Sequence, residues 1–313
     1  MTRPLPERVV AAARQDFEVE VRETNAPMKP GEMRAALVLY DGVLPTLGDR
    51  FDADVFAESA SPRCKVLANF GVGYNHIDVA AARDAGVAVT NTPGAVTDAT
   101  ADIALTLMLS VARRAGEGER LLRAGAWEGW HPTQMLGMHV TGKTVGILGM
   151  GRIGQAIARR CHFGFGMQVA YHSRSPKSLE FPAQHAESPE ALAEAADFLV
   201  VAVPGGAETR HLVGASVLKA MGAGAFLVNI ARGDVVDEAA LVDALESGAI
   251  AGAGLDVYEH EPTVPDALKG MENAVLLPHL GTAALEVREA MGLMSVDNLR
   301  AALSGETPPN LVN

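Results

Sequence analysis

Arg232, Glu261 and His279 are the residues of this chain whose chemistry suits reduction of a keto group beside a carboxylate. A planar guanidinium at 232 would grip the carboxylate and polarise the keto oxygen. An imidazole at 279 would protonate that oxygen as hydride reaches the carbon, and a carboxylate at 261 would orient the ring and hold it cationic. Singly these residues say little, because a lone His is more often structural and a lone Arg more often ion-paired. Their setting says more. Each lies in a segment that opens as an apolar strand and ends in polar residues: Asn229-Ile230-Ala231-Arg232-Gly233-Asp234, Gly254-Leu255-Asp256-Val257-Tyr258-Glu259-His260-Glu261-Pro262 and Leu277-Pro278-His279-Leu280-Gly281-Thr282. Ligands of open parallel sheets bind beyond the carboxyl ends of the strands, so the three strand ends can converge on one cleft.

A hydride needs a donor, and the stretch Thr144 to Gly154, TVGILGMGRIG, supplies the signature of a dinucleotide site. Gly149 allows a tight turn off a strand, Gly151 lets backbone approach a pyrophosphate, and Gly154 lets the next helix lie close on the sheet. Arg152 and Ile153 stand at the start of that helix, whose N–H groups would face the phosphates. In a chain with 32 Gly the pattern alone is weak. Here an apolar run precedes it and a helical run, Gln155 to Phe163, follows. The strand after that, Gln168 to Tyr171, is where an NAD site places an acid for the ribose 2′-OH. This chain continues His172-Ser173-Arg174-Ser175-Pro176-Lys177, with no acid. Ser173, Arg174 and Lys177 would instead accept a 2′-phosphate, which predicts a preference for NADP(H) over NAD(H). The competing reading is that Arg174 and Lys177 are solvated loop charges.

The elements that must hold these groups alternate. Two apolar, β-rich segments, Ala35 to Tyr40 and Val66 to Phe70, alternate with helix-like stretches before the chain reaches Gly86 to Asn91, which predicts a small α/β domain over roughly the first 95 residues. After Thr92-Pro93-Gly94 a long helical pattern runs from Asp98 to Arg114. Strands are then expected at Gln168–His172, Phe198–Val203, Ala225–Ile230, Gly252–Val257 and Val275–Leu277, separated by helices at Glu190–Ala195, Ala215–Met221 and Asp237–Glu246. That is the βαβ alternation of an open parallel sheet. A last helical run, Thr282 to Leu303, is long enough to return to the first domain. The expected division is 1–97 with 286–313 as a substrate domain, and 98–285 as a dinucleotide domain.

The chain has 313 residues, 48% of them hydrophobic, and a net charge of −12. That balance disfavours nucleic acid or an anionic membrane as the main partner. A small anionic substrate would need a local cation. Cys64 and Cys161 show neither CxxC nor metal-ligand spacing, so they read as buried free thiols in a reducing compartment, and no metal site is expected. The N-terminal MTRPLPERVV has no apolar signal core and no run spans a membrane, which predicts a soluble, cytoplasmic protein.

With the loop Asn69-Phe70-Gly71-Val72-Gly73-Tyr74-Asn75-His76-Ile77-Asp78, these motifs in this order resemble the D-isomer-specific 2-hydroxyacid dehydrogenase family over nearly the whole chain. The resemblance implies an α/β architecture: a Rossmann-like doubly wound parallel sheet domain, and a smaller flavodoxin-like substrate domain built from both termini. It implies a homodimer formed largely through the nucleotide domains. It also implies that the backbone N–H groups of Val72 and Gly73 hold the substrate carboxylate, and that Ile230, Asp256 and Gly281 contact the nicotinamide side. Val203, Pro204, Thr209 and Ala231 complete the expected cofactor contacts, although Gly205-Gly206-Ala207-Glu208-Thr209 is looser than the family's usual loop. Within the family the chain looks most like the glyoxylate/hydroxypyruvate reductases. Ala126-Trp127-Glu128-Gly129-Trp130-His131-Pro132 is similar to a segment that reaches the partner subunit's active site in some of them, which makes Trp130 either a substrate wall or interface packing. Hydroxyphenylpyruvate-type reductases share the NADP-like loop and are the nearest competitor. Phosphoglycerate dehydrogenases often add a C-terminal regulatory domain, and formate dehydrogenases pair the His with Gln where Glu261 stands here. Corepressors that sense dinucleotides use the same fold and represent a different functional class.

Overall fold

Apolar runs of four or five residues with Val, Ile and Phe, such as Thr144–Leu148 and Phe198–Val201, suit strands buried on both faces. In the computed structural model, which describes residues 1–59 and 61–313, they are parallel strands of one sheet. The chain forms two units: Met1–Val96 with Thr282–Asn313, and Thr97–Gly281.

In chain order the first unit holds α1 (Glu7–Ala13), α2 (Pro30–Leu39), β1 (Gly42–Val43), α3 (Ala53–Ala57), β2 (Val66–Ala68), α4 (Val79–Asp84) and β3 (Ala88–Thr90). The strands pair in parallel in the order β1-β2-β3, with Val66 opposite Ala88. Met33, Leu37, Phe51, Val55, Leu67 and Val89 form the core beneath them. Asp52 and Asp78 cap α3 and α4 by accepting the N–H groups of Val55 and Ala81.

The expected strand Ala35–Tyr40 is instead the second half of α2. Its cause lies upstream. Pro30 sits in the first helical turn, and the Glu32 carboxylate accepts the Lys29 N–H at 2.7 Å, so the helix is already started when the apolar run begins. Met33, Ala36 and Leu37 then face inward at helical spacing, while Val38 and Leu39 are left exposed. The strand of this region is the short β1 that follows.

The second unit holds α5 (Thr97–Ala112), α6 (Ala115–Arg123), β4 (Thr144–Leu148), α7 (Arg152–Phe165), β5 (Gln168–His172), β6 (Gln184–His185), α8 (Pro189–Ala195), β7 (Phe198–Val201), α9 (Ala215–Met221), β8 (Phe226–Asn229), α10 (Glu238–Glu246), β9 (Gly252–Leu255), α11 (Asp266–Gly270) and β10 (Ala274–Leu276). A final helix, α12 (Leu285–Leu303), belongs to the first unit, where it packs on α1 and β2. The expected helix Asp98–Arg114 stops at Ala112, because Arg114 takes a left-handed φ of 53° and α6 starts after it.

The second unit's strands form one parallel sheet in the order β10-β9-β8-β7-β4-β5-β6. Helices cover both faces over two apolar layers, one containing Leu148, Leu199 and Leu227, the other Ile147, Val200 and Val228. Strand order reverses between β4 and β7. That is the switch point at which doubly wound sheets open a crevice for a ligand.

Candidate active site

At the end of β8 the buried Asn229 folds the chain into a turn. Its side-chain oxygen accepts the Ala231 N–H at 3.0 Å and its Nδ2 donates to the Arg232 carbonyl at 3.0 Å. Arg232 emerges from that turn with its aliphatic stem across Gly205, where a Cβ would lie 2.6 Å from Arg232 Cγ. Gly233 follows because nothing larger fits: a Cβ there would sit 1.8 Å from the carbonyl carbon of Tyr258. Burial pulls the guanidinium's pKa down, and the negative charges of Glu261 and Asp234 oppose that shift. Arg232 remains the cation of this site.

The turn after β10 carries His279 in the left-handed region, at φ 54°. Asp256, 1% exposed at the end of β9, imposes that conformation. Its carbonyl accepts the His279 N–H at 2.9 Å, and its carboxylate takes the N–H groups of Leu280 at 2.6 Å and Gly281 at 2.8 Å. Burial raises the Asp256 carboxyl above its ordinary value, and the two amide donors pull the other way.

His279 Nδ1 lies 2.9 Å from Glu261 Oε2 and 3.2 Å from Oε1, and the Tyr258 N–H donates to Oε1 at 3.1 Å. An ionised carboxylate only accepts, so the hydrogen bond places a proton on Nδ1 and leaves Nε2 to exchange one with a substrate. Burial works to raise the Glu261 carboxyl, but the His279 bond and charge, the Tyr258 N–H and Arg232 outweigh it, and the net shift is downward. Arg232, Glu261 and His279 thus stand together. Neighbouring Glu259 receives Arg210 at 2.8 Å and His211 at 2.9 Å, which ties the loop after β7 to the segment that carries Glu261.

The glycine motif lies at the switch point. A Cβ on Gly149 would be 2.7 Å from backbone of Ala202 and Val203, and one on Gly154 would be 2.1 Å from the Gly149 carbonyl oxygen. Both glycines are demanded by the fold. Gly151 is not: its φ of −80° is ordinary, and a Cβ there would meet no protein atom within 4 Å. A cradle that the protein itself leaves open, at the N-terminus of α7 beside Arg152 and Ile153, fits a dinucleotide pyrophosphate.

β5 ends at His172, whose Nδ1 donates to the Ala186 carbonyl at 2.9 Å. Beyond it Arg174 and Lys177 are exposed, while the Ser173 hydroxyl donates to the Ser175 carbonyl at 2.7 Å. After β7, Val203 and Pro204 lead to Thr209, whose hydroxyl is turned back onto the Pro204 carbonyl at 2.7 Å. Ile230 and Ala231 are buried beside Arg232. Trp130 is 80% exposed on the loop after α6. Val72 and Gly73 belong to the other unit. Among the described residues no cluster of His, Cys, Asp and Glu is built to hold a metal ion.

A family model for the D-isomer specific 2-hydroxyacid dehydrogenase NAD binding domain matches residues 105–281. A glyoxylate reductase of Thermococcus onnurineus is 45% identical, with the alignment covering 100% of this chain and 95% of that protein. A glyoxylate reductase of Pyrococcus furiosus is 44% identical over 100% of this chain and 94% of its own. Among solved structures, an NADPH-dependent glyoxylate/hydroxypyruvate reductase from Sinorhizobium meliloti, in complex with NADP and malonate, superposes with a TM-score of 0.89 at 39% identity, covering 99% of this chain and 95% of that one. The chain belongs to the D-isomer specific 2-hydroxyacid dehydrogenase family.

As a member of that family it is an α/β dehydrogenase, and the unit Thr97–Gly281 contains its NAD-binding domain. Sequence reasoning missed the residues that aim the reactive ones. Asn229 and Tyr258 carry no expected role, and the Asp256 carboxylate, expected on the nicotinamide side, also holds the His279 turn. The readable signal was Asn229 at a strand end, three residues before Arg232 and Gly233, since a short amide side chain there closes a turn on its own backbone.

Proposed function

We propose that this dehydrogenase reduces glyoxylate- and hydroxypyruvate-type 2-keto acids to D-2-hydroxy acids, prefers NADPH, and works as a homodimer in the cytoplasm. The bond from His279 Nδ1 to Glu261, beside Arg232, is the observation that carries the reading. The nicotinamide, when bound, supplies hydride to the keto carbon. Arg232 grips the substrate carboxylate and polarises the keto oxygen, while His279 Nε2 gives that oxygen its proton. Glu261 stays ionised and stabilises the imidazolium before transfer. The N–H groups of Val72 and Gly73 hold the carboxylate. Ile230, Asp256 and Gly281 border the nicotinamide, and the exposed Trp130 walls the partner's substrate pocket.

Preference for NADPH is supported by the absence of a carboxylate at the end of β5 and by the exposed Arg174 and Lys177. Buried Cys64 and Cys161, whose thiols burial pushes up to about 12, suit a reducing compartment. Steady-state kinetics with glyoxylate, hydroxypyruvate, pyruvate and an aryl pyruvate, each with NADPH and NADH, test the substrate and the cofactor together. Arg174→Ala is expected to raise KM for NADPH by about 10- to 100-fold, as for a lost charged hydrogen bond, and to leave KM for NADH nearly unchanged. Equal losses with both cofactors would remove the 2′-phosphate reading. Tight nucleotide binding without turnover would favour a dinucleotide-sensing module.

A further inference from the structure

The loop that follows β2 carries three successive carbonyls that are all held by side-chain amides. Asn69 Nδ2 donates to the carbonyls of Gly71 and Gly73, each at 3.0 Å, and Asn91 Nδ2 donates to that of Val72 at 2.9 Å. These peptides are trans, and in a planar trans peptide the N–H points opposite to the C=O. Fixing a carbonyl therefore aims the N–H on its other side. Asn69, together with the Thr92 N–H that also donates to the Gly71 carbonyl at 3.1 Å, turns the Val72 N–H away from itself, and Asn91 does the same to the Gly73 N–H.

Both asparagines are held in turn. Asn69 is 1% exposed, and its backbone N–H donates to the Thr90 carbonyl at 3.1 Å. Its Oδ1 lies 3.0 Å from His76 Nε2, and an amide oxygen can only accept, so His76 donates and fixes which end of the amide faces the loop. Asn91 is tied to the chain's C-terminal segment: its N–H donates to the Asn310 carbonyl at 3.2 Å, and its carbonyl accepts Asn298 Nδ2 at 3.3 Å. An unsupported loop would keep its carbonyls free to rotate toward a ligand, and a carbonyl oxygen repels a carboxylate. This loop has committed them.

We propose that Asn69, oriented by His76, and Asn91 are positioning residues that make the 71–74 loop a donor-only surface and so select a carboxylate-bearing substrate over a neutral one. The proposal rests on the reading that the amides of Val72 and Gly73 bind the carboxylate. Neither asparagine touches the reacting atoms. Their effect therefore belongs in KM for the anion rather than in the chemical step.

The test compares glyoxylate with methyl glyoxylate, its uncharged ester, at saturating NADPH. Asn69→Ala is expected to raise KM for glyoxylate by about 10-fold, the low end for a charge-assisted hydrogen bond because the Thr92 N–H still holds the Gly71 carbonyl, with kcat and KM for the ester nearly unchanged. His76→Gln, which keeps an N–H donor for Asn69 Oδ1, should restore most of what His76→Ala loses. Asn91→Ala frees only the Val72 carbonyl and should give the same split by itself, so the proposal remains testable if the Asn69 variant does not fold. Val72→Pro removes one amide donor outright and tests the underlying reading. An unchanged KM for glyoxylate in Val72→Pro would sink that reading and the proposal with it. A raised KM in Val72→Pro beside unchanged values in both asparagine variants would overturn the proposal alone. Equal losses for acid and ester in those variants would mean general collapse of the loop, and would overturn it too.

Discussion

The His279 ring is held from Nδ1, where Glu261 accepts its N–H at 2.9 Å. Replacing Glu261 with Gln keeps an acceptor for Nδ1–H but removes its charge, so kcat/KM for reduction should fall while the Kd for NADPH holds. An unchanged kcat/KM would show that Glu261 does not act through His279. The same variant has a consequence for stability. The Glu261 carboxyl is held below its ordinary value, so its ionised form contributes stability that is fully present above the unfolded value and is lost as pH falls through the lowered one. Wild type should therefore exceed Glu261→Gln in Tm near neutrality, and the gap should close in acid. For Arg232 the test is geometric. Lys offers a point charge where Arg offers a planar fork, so Arg232→Lys should raise KM for glyoxylate and lower kcat together, by about 10²-fold or more in kcat/KM, while the Kd for NADPH barely changes. Near-normal kcat/KM would send the search for the anchor elsewhere.

The turn from β4 into α7 holds two glycines with different reasons to exist. Gly154→Ala would drive a methyl group to 2.1 Å from the Gly149 carbonyl oxygen, so it should cost about 3 kcal/mol or more and lower Tm along with cofactor affinity. Gly151→Ala meets no protein atom, so Tm should hold while the Kd for NADPH rises. Thermal melts and cofactor titrations of the pair separate packing from ligand approach. Elements of this kind were readable because a buried parallel strand is a short apolar run with polar ends: β5 falls on the expected residues, and β7, β8 and β9 differ only at their ends. Ala35–Tyr40 was misread because an apolar stretch of that length carries no period of its own, and the capping that made it helical lies before it. Arg232, Glu261 and His279 stand out in the sequence because their residue types at successive strand ends are chemically rare in combination, and the fold brings Glu261 and His279 into hydrogen bond. Asn69, Asn91 and Asp256 were not, since each acts on backbone groups whose direction only the folded chain defines.

At the scale of the molecule, the second unit is one continuous stretch of chain, while the first is assembled from two pieces. The pieces meet in hydrogen bonds such as Val89 N–H to Asn313 Oδ1, at 2.8 Å, and Val312 N–H to the Val89 carbonyl, also at 2.8 Å. Val89 and Asn313 are 224 positions apart. Closing so long a loop costs about 3 kcal/mol more than closing one of roughly ten residues. The second unit removes much of that cost when it folds, because its own ends approach each other: the Thr100 hydroxyl donates to the Gly281 carbonyl at 3.3 Å. The inserted unit thus serves as a clip. Each unit also contains one buried thiol, Cys64 in the first and Cys161 in the second. During refolding from denaturant, pulsed alkylation should find Cys161 protected before Cys64; simultaneous protection, or the reverse order, would show that no such sequence exists. On a ribosome the same geometry sets a schedule. The edge of β3 away from β2 must wait until the last residues arrive, and the long middle of the chain has time to fold and bring the two pieces together.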